Sequence, residues 1–280
     1  MFHVSPIPTI LLLILGILYD DIEAEPIIGS NVKQERGNQF PYLVSILING
    51  FFEDPDDESY VVCAGTLVSD RHVLTVAHCF TEDQEKSLIK VSVRSMNLQK
   101  YDQFSIHEII TYTDWAAQHN RVLENDDNDI AILTLDRRVE ELHVRPATIS
   151  RLKNEDLEGK KVTIVSWAVS ESVLVPKVIE FGSAYVLSAS TCVKEVKSRT
   201  ETEFLMDNTR LCTSARPYLI MTCGDSGGPM LLKDMIVGIN KGICPSDHVD
   251  SEVIPKAHKV NIHMSVYYYR DFIHDVIKRW

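Results

Sequence analysis

The chain has 280 residues, of which 45% are hydrophobic and 24% charged, with 12 Gly and 11 Pro; this excludes a collagenous, low-complexity or disordered polymer and leaves a globular protein with a large core. Its formal charge of −12 argues against a nucleic-acid backbone or an anionic membrane surface as the main partner, because both select net positive faces.

From the N-terminus, the first element is the apolar run Ile10-Leu11-Leu12-Leu13-Ile14-Leu15-Gly16-Ile17-Leu18, shorter than the roughly 20 residues that cross a bilayer. It predicts a signal peptide, with a short membrane anchor as the alternative, since no Lys or Arg precedes it and no Ala-x-Ala site follows. Residues 1–26 are therefore expected to be signal peptide and short propeptide. The remainder is expected to be secreted and to have no membrane contact after signal removal.

Between residues 40 and 275 the chain carries short β-branched runs broken by turn residues, with no Gly/Ser linker and no internal repeat. The clearest are Tyr42–Leu47, Thr66–Val68, His72–Val76, Ile130–Leu135, Val162–Val165 and Met235–Ile239. They predict an all-β protein of many strands. The acidic stretch Glu53-Asp54-Pro55-Asp56-Asp57-Glu58 lies between two such runs and is expected to be an exposed loop. At the end of the chain Tyr269, Phe272, Ile273, Val276, Ile277 and Trp280 recur at spacings of three and four, which places one apolar stripe on a helix docked against the sheets.

Six cysteines follow the leader, at 63, 79, 192, 212, 223 and 244; in a chain expected to be secreted they suggest three disulfides, although spacing alone does not choose among fifteen pairings. No Cys-x-x-Cys or His-x-x-x-His pair occurs, no loop of spaced carboxylates is recognisable and no Asn-x-Ser/Thr acceptor is present. Neither a metal, a cofactor nor N-glycosylation is predicted.

The sharpest local signal is Cys223-Gly224-Asp225-Ser226-Gly227-Gly228-Pro229, a serine among glycines that permit tight turns and access to its hydroxyl. Serine alone is a poor nucleophile at neutral pH and needs a base in hydrogen-bond reach and a third group to orient that base. Ala77-His78-Cys79 and Asn128-Asp129-Ile130-Ala131 supply both. The remaining histidines have no such motif and are read as surface or packing residues.

Through Leu74-Thr75-Val76-Ala77-His78-Cys79, Asp127-Asn128-Asp129-Ile130-Ala131 and Gly224-Asp225-Ser226-Gly227-Gly228-Pro229, in that order, the sequence resembles the chymotrypsin-like serine proteases. Ile27-Ile28-Gly29-Ser30 looks like the mature N-terminus of such an enzyme, and Tyr268–Ile273 like its closing helix. The resemblance implies two antiparallel six-stranded β-barrels, about 27–145 and 146–265, and a C-terminal α-helix over about 266–280, with the cleft between the barrels. It implies a catalytic His78, Asp129 and Ser226, an oxyanion hole from the N–H groups of Gly224 and Ser226, and a buried ion pair between the freed Ile27 ammonium and Asp225. It also implies the pairings Cys63–Cys79, Cys192–Cys212 and Cys223–Cys244. The expected partners are protein or peptide substrates and protein protease inhibitors, acting on a monomer.

Three departures qualify that expectation. Cys223 is followed directly by Gly224, one residue fewer than the family usually has, which shortens the tether beside the oxyanion hole. Where tryptic members carry an acid, this chain has Ile220-Met221-Thr222, so cleavage after Lys or Arg is not expected. The strand along the substrate reads Ile239-Asn240-Lys241-Gly242, and Val260-Asn261 replaces the usual Pro-Gly, so Ile220, Met221, Lys241, Gly242 and Asn261 are expected to shape an altered specificity pocket. Lys241 either points into solvent or approaches Asp129. The reading is thus a secreted non-tryptic serine endopeptidase, with a protease-like binding or regulatory protein of weak turnover as the alternative. Because Pro26 precedes Ile27, maturation is expected to proceed by trimming Glu23-Ala24 and Glu25-Pro26 as dipeptides rather than by a tryptic cut, with a polar spacer and a retained precursor as the alternative.

Overall fold

The computed structural model describes residues 27–48, 60–80, 84–93, 102–125, 127–140, 142–167, 178–198, 204–222, 224–245 and 258–279. The leader, the acidic stretch 53–58, Cys223 and Trp280 lie outside them.

Two short strands come first, β1 (Ile28–Gly29) and β2 (Lys33–Gln34). The predicted β-branched runs then form β3 (Leu43–Ile48), the end of β4 (Tyr60–Leu67), β5 (His72–Thr75) and β8 (Ala131–Leu135), and two strands that the sequence reading does not single out join them, β6 (Ile89–Val93) and β7 (Asp102–Thr111). These six close into an antiparallel barrel in the order β3-β4-β5-β8-β7-β6. Ile46 sits opposite Cys63 on one side and Val91 on the other, and His72 opposite Thr134. Closure leaves this ring no free edge.

The second half adds β9 (Thr148–Ile149), β10 (Lys161–Trp167), β11 (Ile179–Val186), β12 (Arg210–Ser214), β13 (Leu219–Ile220), β14 (Pro229–Leu232), β15 (Met235–Cys244) and β16 (Val260–Ser265). Strands β10-β14-β15-β16-β12-β11 form a second antiparallel ring, closed by pairing of β11 with β10. Four short strands decorate this half. β2 lies on β11, β9 runs parallel on β15, and β1 pairs with β13. The N-terminal segment is thereby stitched to the second barrel.

The closing helix is present, with its ordered bounds at Arg270–Lys278, and Phe272, Ile273 and Val276 along it are at most 2% exposed. Its predicted stripe packs on a helix the period-2 reading of the sequence does not find, α1 (Tyr112–Gln118). The Thr111 hydroxyl caps α1 by accepting the N–H of Asp114 at 3.1 Å, and Trp115 meets Phe272 with ring centroids 5.7 Å apart. α2 (Asn154–Leu157) and α3 (Ala189–Lys197) complete the helices before the C-terminal one, which is α4.

Cys63–Cys79 and Cys192–Cys212 are bridged, each with Cα atoms 6.2 Å apart, as the resemblance implies. Of the third expected pair, Cys223 lies outside the described residues. Cys244 is a free, partly buried thiol, and its side chain packs with Cys192, Cys212, Val260 and Ile262. Burial in that apolar cluster raises the thiol pKa.

Candidate active site

His78 stands in a single 3-10 turn, Ala77–Cys79, directly after β5. The Cys63–Cys79 bridge ties that turn to β4, so the imidazole hangs from the covalently braced end of the first barrel. Asp129 precedes β8 and is 8% exposed. Its neighbour Asn128 is locked from three sides: Asn128 Nδ2 donates to the carbonyl of Asn125 at 2.6 Å, Asn128 Oδ1 accepts the Tyr269 hydroxyl at 3.0 Å, and the Asn128 carbonyl accepts the N–H of Ile130 at 3.0 Å.

Both carboxylate oxygens of Asp129 address His78. Oδ1 accepts the main-chain N–H at 2.9 Å and Oδ2 accepts Nδ1–H at 2.8 Å. Burial works to raise this carboxyl, but the hydrogen bonds and charge of His78, with Lys241 behind them, overcome it, so the group is held below its ordinary value. With Nδ1 carrying the proton, Nε2 is left as an acceptor, 3.0 Å from Ser226 Oγ. The structure therefore brings the three predicted residues into one hydrogen-bonded line.

Ser226 belongs to the turn before β14, and its carbonyl accepts the N–H of Ala64 at 2.8 Å. Gly227 has φ +83°, and a Cβ there would lie 2.1 Å from the Ala64 carbonyl oxygen. Only glycine lets this turn approach β4 so closely. Gly224 also has a left-handed φ, +89°. The Gly227 N–H donates to the Asn240 carbonyl at 2.8 Å, and Asn240 is held in turn by His263. That histidine is fully buried between Asn240 Oδ1 at 3.0 Å and Thr213 Oγ1 at 2.9 Å, and burial pushes its imidazole down to about 3. Its role is packing, in keeping with its lack of a motif.

Asp225 is 1% exposed; its Oδ2 accepts the Thr222 N–H at 2.7 Å, while Oδ1 has no partner among the described residues. Burial pushes this carboxyl up to about 7. Ile27, 3% exposed, packs in the same half of the molecule with Leu219, Met221 and Met230, its nitrogen still in peptide linkage to Pro26.

The residues expected to shape the pocket divide into two groups. Ile220, Met221 and Asn261 are at most 3% exposed, and Asn261 spends its amide on the backbone, accepting the Met221 N–H and donating to the Leu219 carbonyl, each at 2.9 Å. Gly242 and Lys241 stay partly exposed, and the Lys241 carbonyl lies 3.3 Å from Ser226 Oγ. Of the two orientations open for Lys241, the structure adopts the inward one. Its ammonium pairs with Asp127 and lies 3.9 Å from Asp129 Oδ2, while Arg210 closes on the other oxygen of Asp127 at 2.7 Å. The roles of Asp127 and Arg210 are not legible in sequence: Asp127 reads only as part of the Asp129 motif, and Arg210 carries no signal.

One grouping of metal-type ligands occurs among the described residues, Cys63, His78 and Cys79, but its two sulfurs are joined to each other and offer no thiolates. No described helix is long and apolar enough to cross a membrane.

The family model Trypsin matches residues 28–273. A chymotrypsin of Phaedon cochleariae is 25% identical over 79% of this chain and 81% of its own, and cathepsin G of Mus musculus is 27% identical over 82% of this chain and 81% of its own. Two solved structures share the fold, each with a TM-score of 0.64 over 88% of this chain. Mouse neuropsin, described as a serine protease, is 19% identical and covered to 98%; a scabies mite inactivated protease paralogue is 24% identical and covered to 99%. One neighbour is a serine protease and the other an inactivated protease paralogue, so likeness of fold alone does not assign turnover.

Proposed function

From the premise that this chain belongs to the trypsin family, we propose that it is a secreted serine endopeptidase of non-tryptic specificity. The single observation that carries the reading is the line from Ser226 Oγ through His78 to Asp129, with spacings of 3.0 and 2.8 Å. In it Ser226 Oγ attacks a peptide carbonyl while His78 Nε2 takes its proton. Asp129 fixes the imidazole tautomer and stabilises the imidazolium. The N–H groups of Gly224 and Ser226 would hold the oxyanion, and each such donor contributes roughly 3 kcal/mol in comparable sites. His78 then returns the proton to the leaving amine, and water hydrolyses the acyl-enzyme.

The chain behaves as a zymogen in this reading. The buried Asp225 oxygen without a partner is the acceptor an α-ammonium at Ile27 would satisfy, and until Ile27 is freed the burial of that carboxylate is offset only by hydrogen bonds such as that from the Thr222 N–H. Specificity for medium or large apolar residues follows from Ile220 and Met221 where a tryptic enzyme has an acid. The substrates are proteins or peptides, the natural regulators are protein protease inhibitors, and the enzyme acts as a monomer outside the cell.

A second reading, a protease-like binding or regulatory protein, is favoured by one observation. Cys244 is a free thiol in the strand expected to tether the shortened segment before Gly224, and a donor misplaced by about 1 Å costs on the order of a hundredfold in rate. Incubating the chain processed to Ile27 with a peptide library separates the two. Cleavage after apolar residues that is lost in Ser226→Ala is expected; a profile dominated by Lys or Arg would remove the specificity, and no Ser226-dependent cleavage would favour the binding protein.

A further inference from the structure

We propose that Lys241 is a positioning residue that tunes the catalytic base: held between Asp127 and Asp129, its ammonium competes with His78 for the Asp129 carboxylate and weakens the proton affinity of the imidazole. The inference rests on the endopeptidase reading, whose base it modifies.

The placement begins in the strand. Asn240 lies opposite His263 and Gly242 opposite Ile262, so Lys241 is the extra residue of a β-bulge in β15. Bulges re-aim a side chain. Here the carbonyl of Lys241 stays with Ser226, while its side chain, 21% exposed, turns toward the acids before β8. There it pairs with one oxygen of Asp127 and stands 3.9 Å from Asp129 Oδ2, the same oxygen that accepts His78 Nδ1–H.

A cation at that distance stabilises ionised Asp129 and opposes an imidazolium on its far side. Asp127 limits the effect. It draws the ammonium toward itself and is shared with Arg210 from β12, which contributes a second positive charge farther out. Asp207, whose Oδ2 accepts from Asn125, adds a negative charge at the outer rim. The charged groups of this network are thus Lys241, which lies against both Asp127 and Asp129, Arg210 on the far oxygen of Asp127, and Asp207 bound to Asn125. Lys241 stands 3.9 Å from Asp129 Oδ2.

The two ends of the Lys241–Asp127 pair therefore act in opposite senses. Lys241→Met deletes the competing cation, and the His78 titration should move up by about one pH unit, a tenfold change in proton affinity. Asp127→Asn frees the cation for Asp129, and the titration should move down. Loss of a merely structural contact would not give shifts of opposite sign.

The experiment is an NMR titration of histidine-labelled chain processed to Ile27, as wild type, Lys241→Met, Lys241→Arg and Asp127→Asn, with His78 assigned by its loss in His78→Gln. Opposite shifts in the Met and Asn variants, with Arg close to wild type, are expected. No movement in Lys241→Met, or movement of both variants in one direction, overturns the proposal; if Lys241→Met does not fold, a downward shift in Asp127→Asn supports the proposal and any other result there overturns it. The titration needs no turnover. A fluorophosphonate reaction run in parallel tests the endopeptidase reading separately, since absence of labelling with the expected shifts defeats that reading and leaves the tuning intact.

Discussion

The main-chain N–H of Ala64 donates to the carbonyl of Ser226 at 2.8 Å, a hydrogen bond that joins β4 of the first barrel to the serine turn of the second. It sets the separation of His78 and Ser226, because His78 is braced to β4 by the Cys63–Cys79 bridge. A residue placed on the first barrel and one placed on the second meet at 3.0 Å because their supports are hydrogen-bonded to each other.

Gly227 permits that contact, so Gly227→Ala is expected to break it. A Cβ would meet the Ala64 carbonyl at 2.1 Å and Thr75 Oγ1 at 2.2 Å, on a backbone with φ +83°. The left-handed conformation alone costs about 1–2 kcal/mol for an L-residue, and displacement of Ser226 by about 1 Å lowers the rate on the order of a hundredfold. Thermal unfolding and labelling kinetics of the variant measure both. An unchanged melting temperature with unchanged reactivity would contradict the inter-barrel account.

Tyr269→Phe removes the hydroxyl that donates to Asn128 Oδ1 at 3.0 Å, next to Asp129. The bond is buried and its loss is expected to cost about 1 kcal/mol of stability. Denaturant unfolding checks this.

Cys244 is expected to react with an alkylating agent in unreduced protein, slowly, because burial raises its pKa and shields it. Peptide mapping decides the matter: an alkylated Cys244 alongside intact Cys63–Cys79 and Cys192–Cys212 agrees with the structure, and Cys244 recovered in a disulfide contradicts it.

Asp225 gives a pH signature in the chain that retains Pro26. Burial raises its carboxyl from 3.8 to about 7, so the folded state holds the proton more tightly than the unfolded chain. The contribution is therefore present at low pH and lost as pH rises from about 4 to about 7. Wild type should lose stability relative to Asp225→Asn across that window, and the loss should vanish once Ile27 is freed and its ammonium neutralises the carboxylate. A difference in melting temperature between the two chains that does not vary with pH would contradict this.

The site was legible where chemistry and local sequence coincide. His78, Asp129 and Ser226 each sit in a short stretch whose residue types state their task, and the β-branched runs of β3, β5 and β8 announce strands by composition. What escaped depends on register. Lys241 meets Asp127 only because a one-residue bulge in β15 turns its side chain inward, and no spacing along the chain encodes that bulge. α1 escaped because seven residues carry too little periodicity, although Thr111 and Asp114 hold the cap that starts it. Asn261, expected to shape the pocket, clamps the backbone at Leu219 and Met221, a task its spacing does not announce, since a buried amide satisfies the nearest backbone groups.

Covalent labelling of Ser226 tests the central claim most directly. In the chain processed to Ile27, a fluorophosphonate should attach to Ser226 Oγ, with the adduct located by peptide mapping, and labelling should be absent in Ser226→Ala and strongly slowed in His78→Ala. Failure of correctly processed, folded wild type to label, or equal labelling of the His78→Ala variant, would contradict an activated serine at this site.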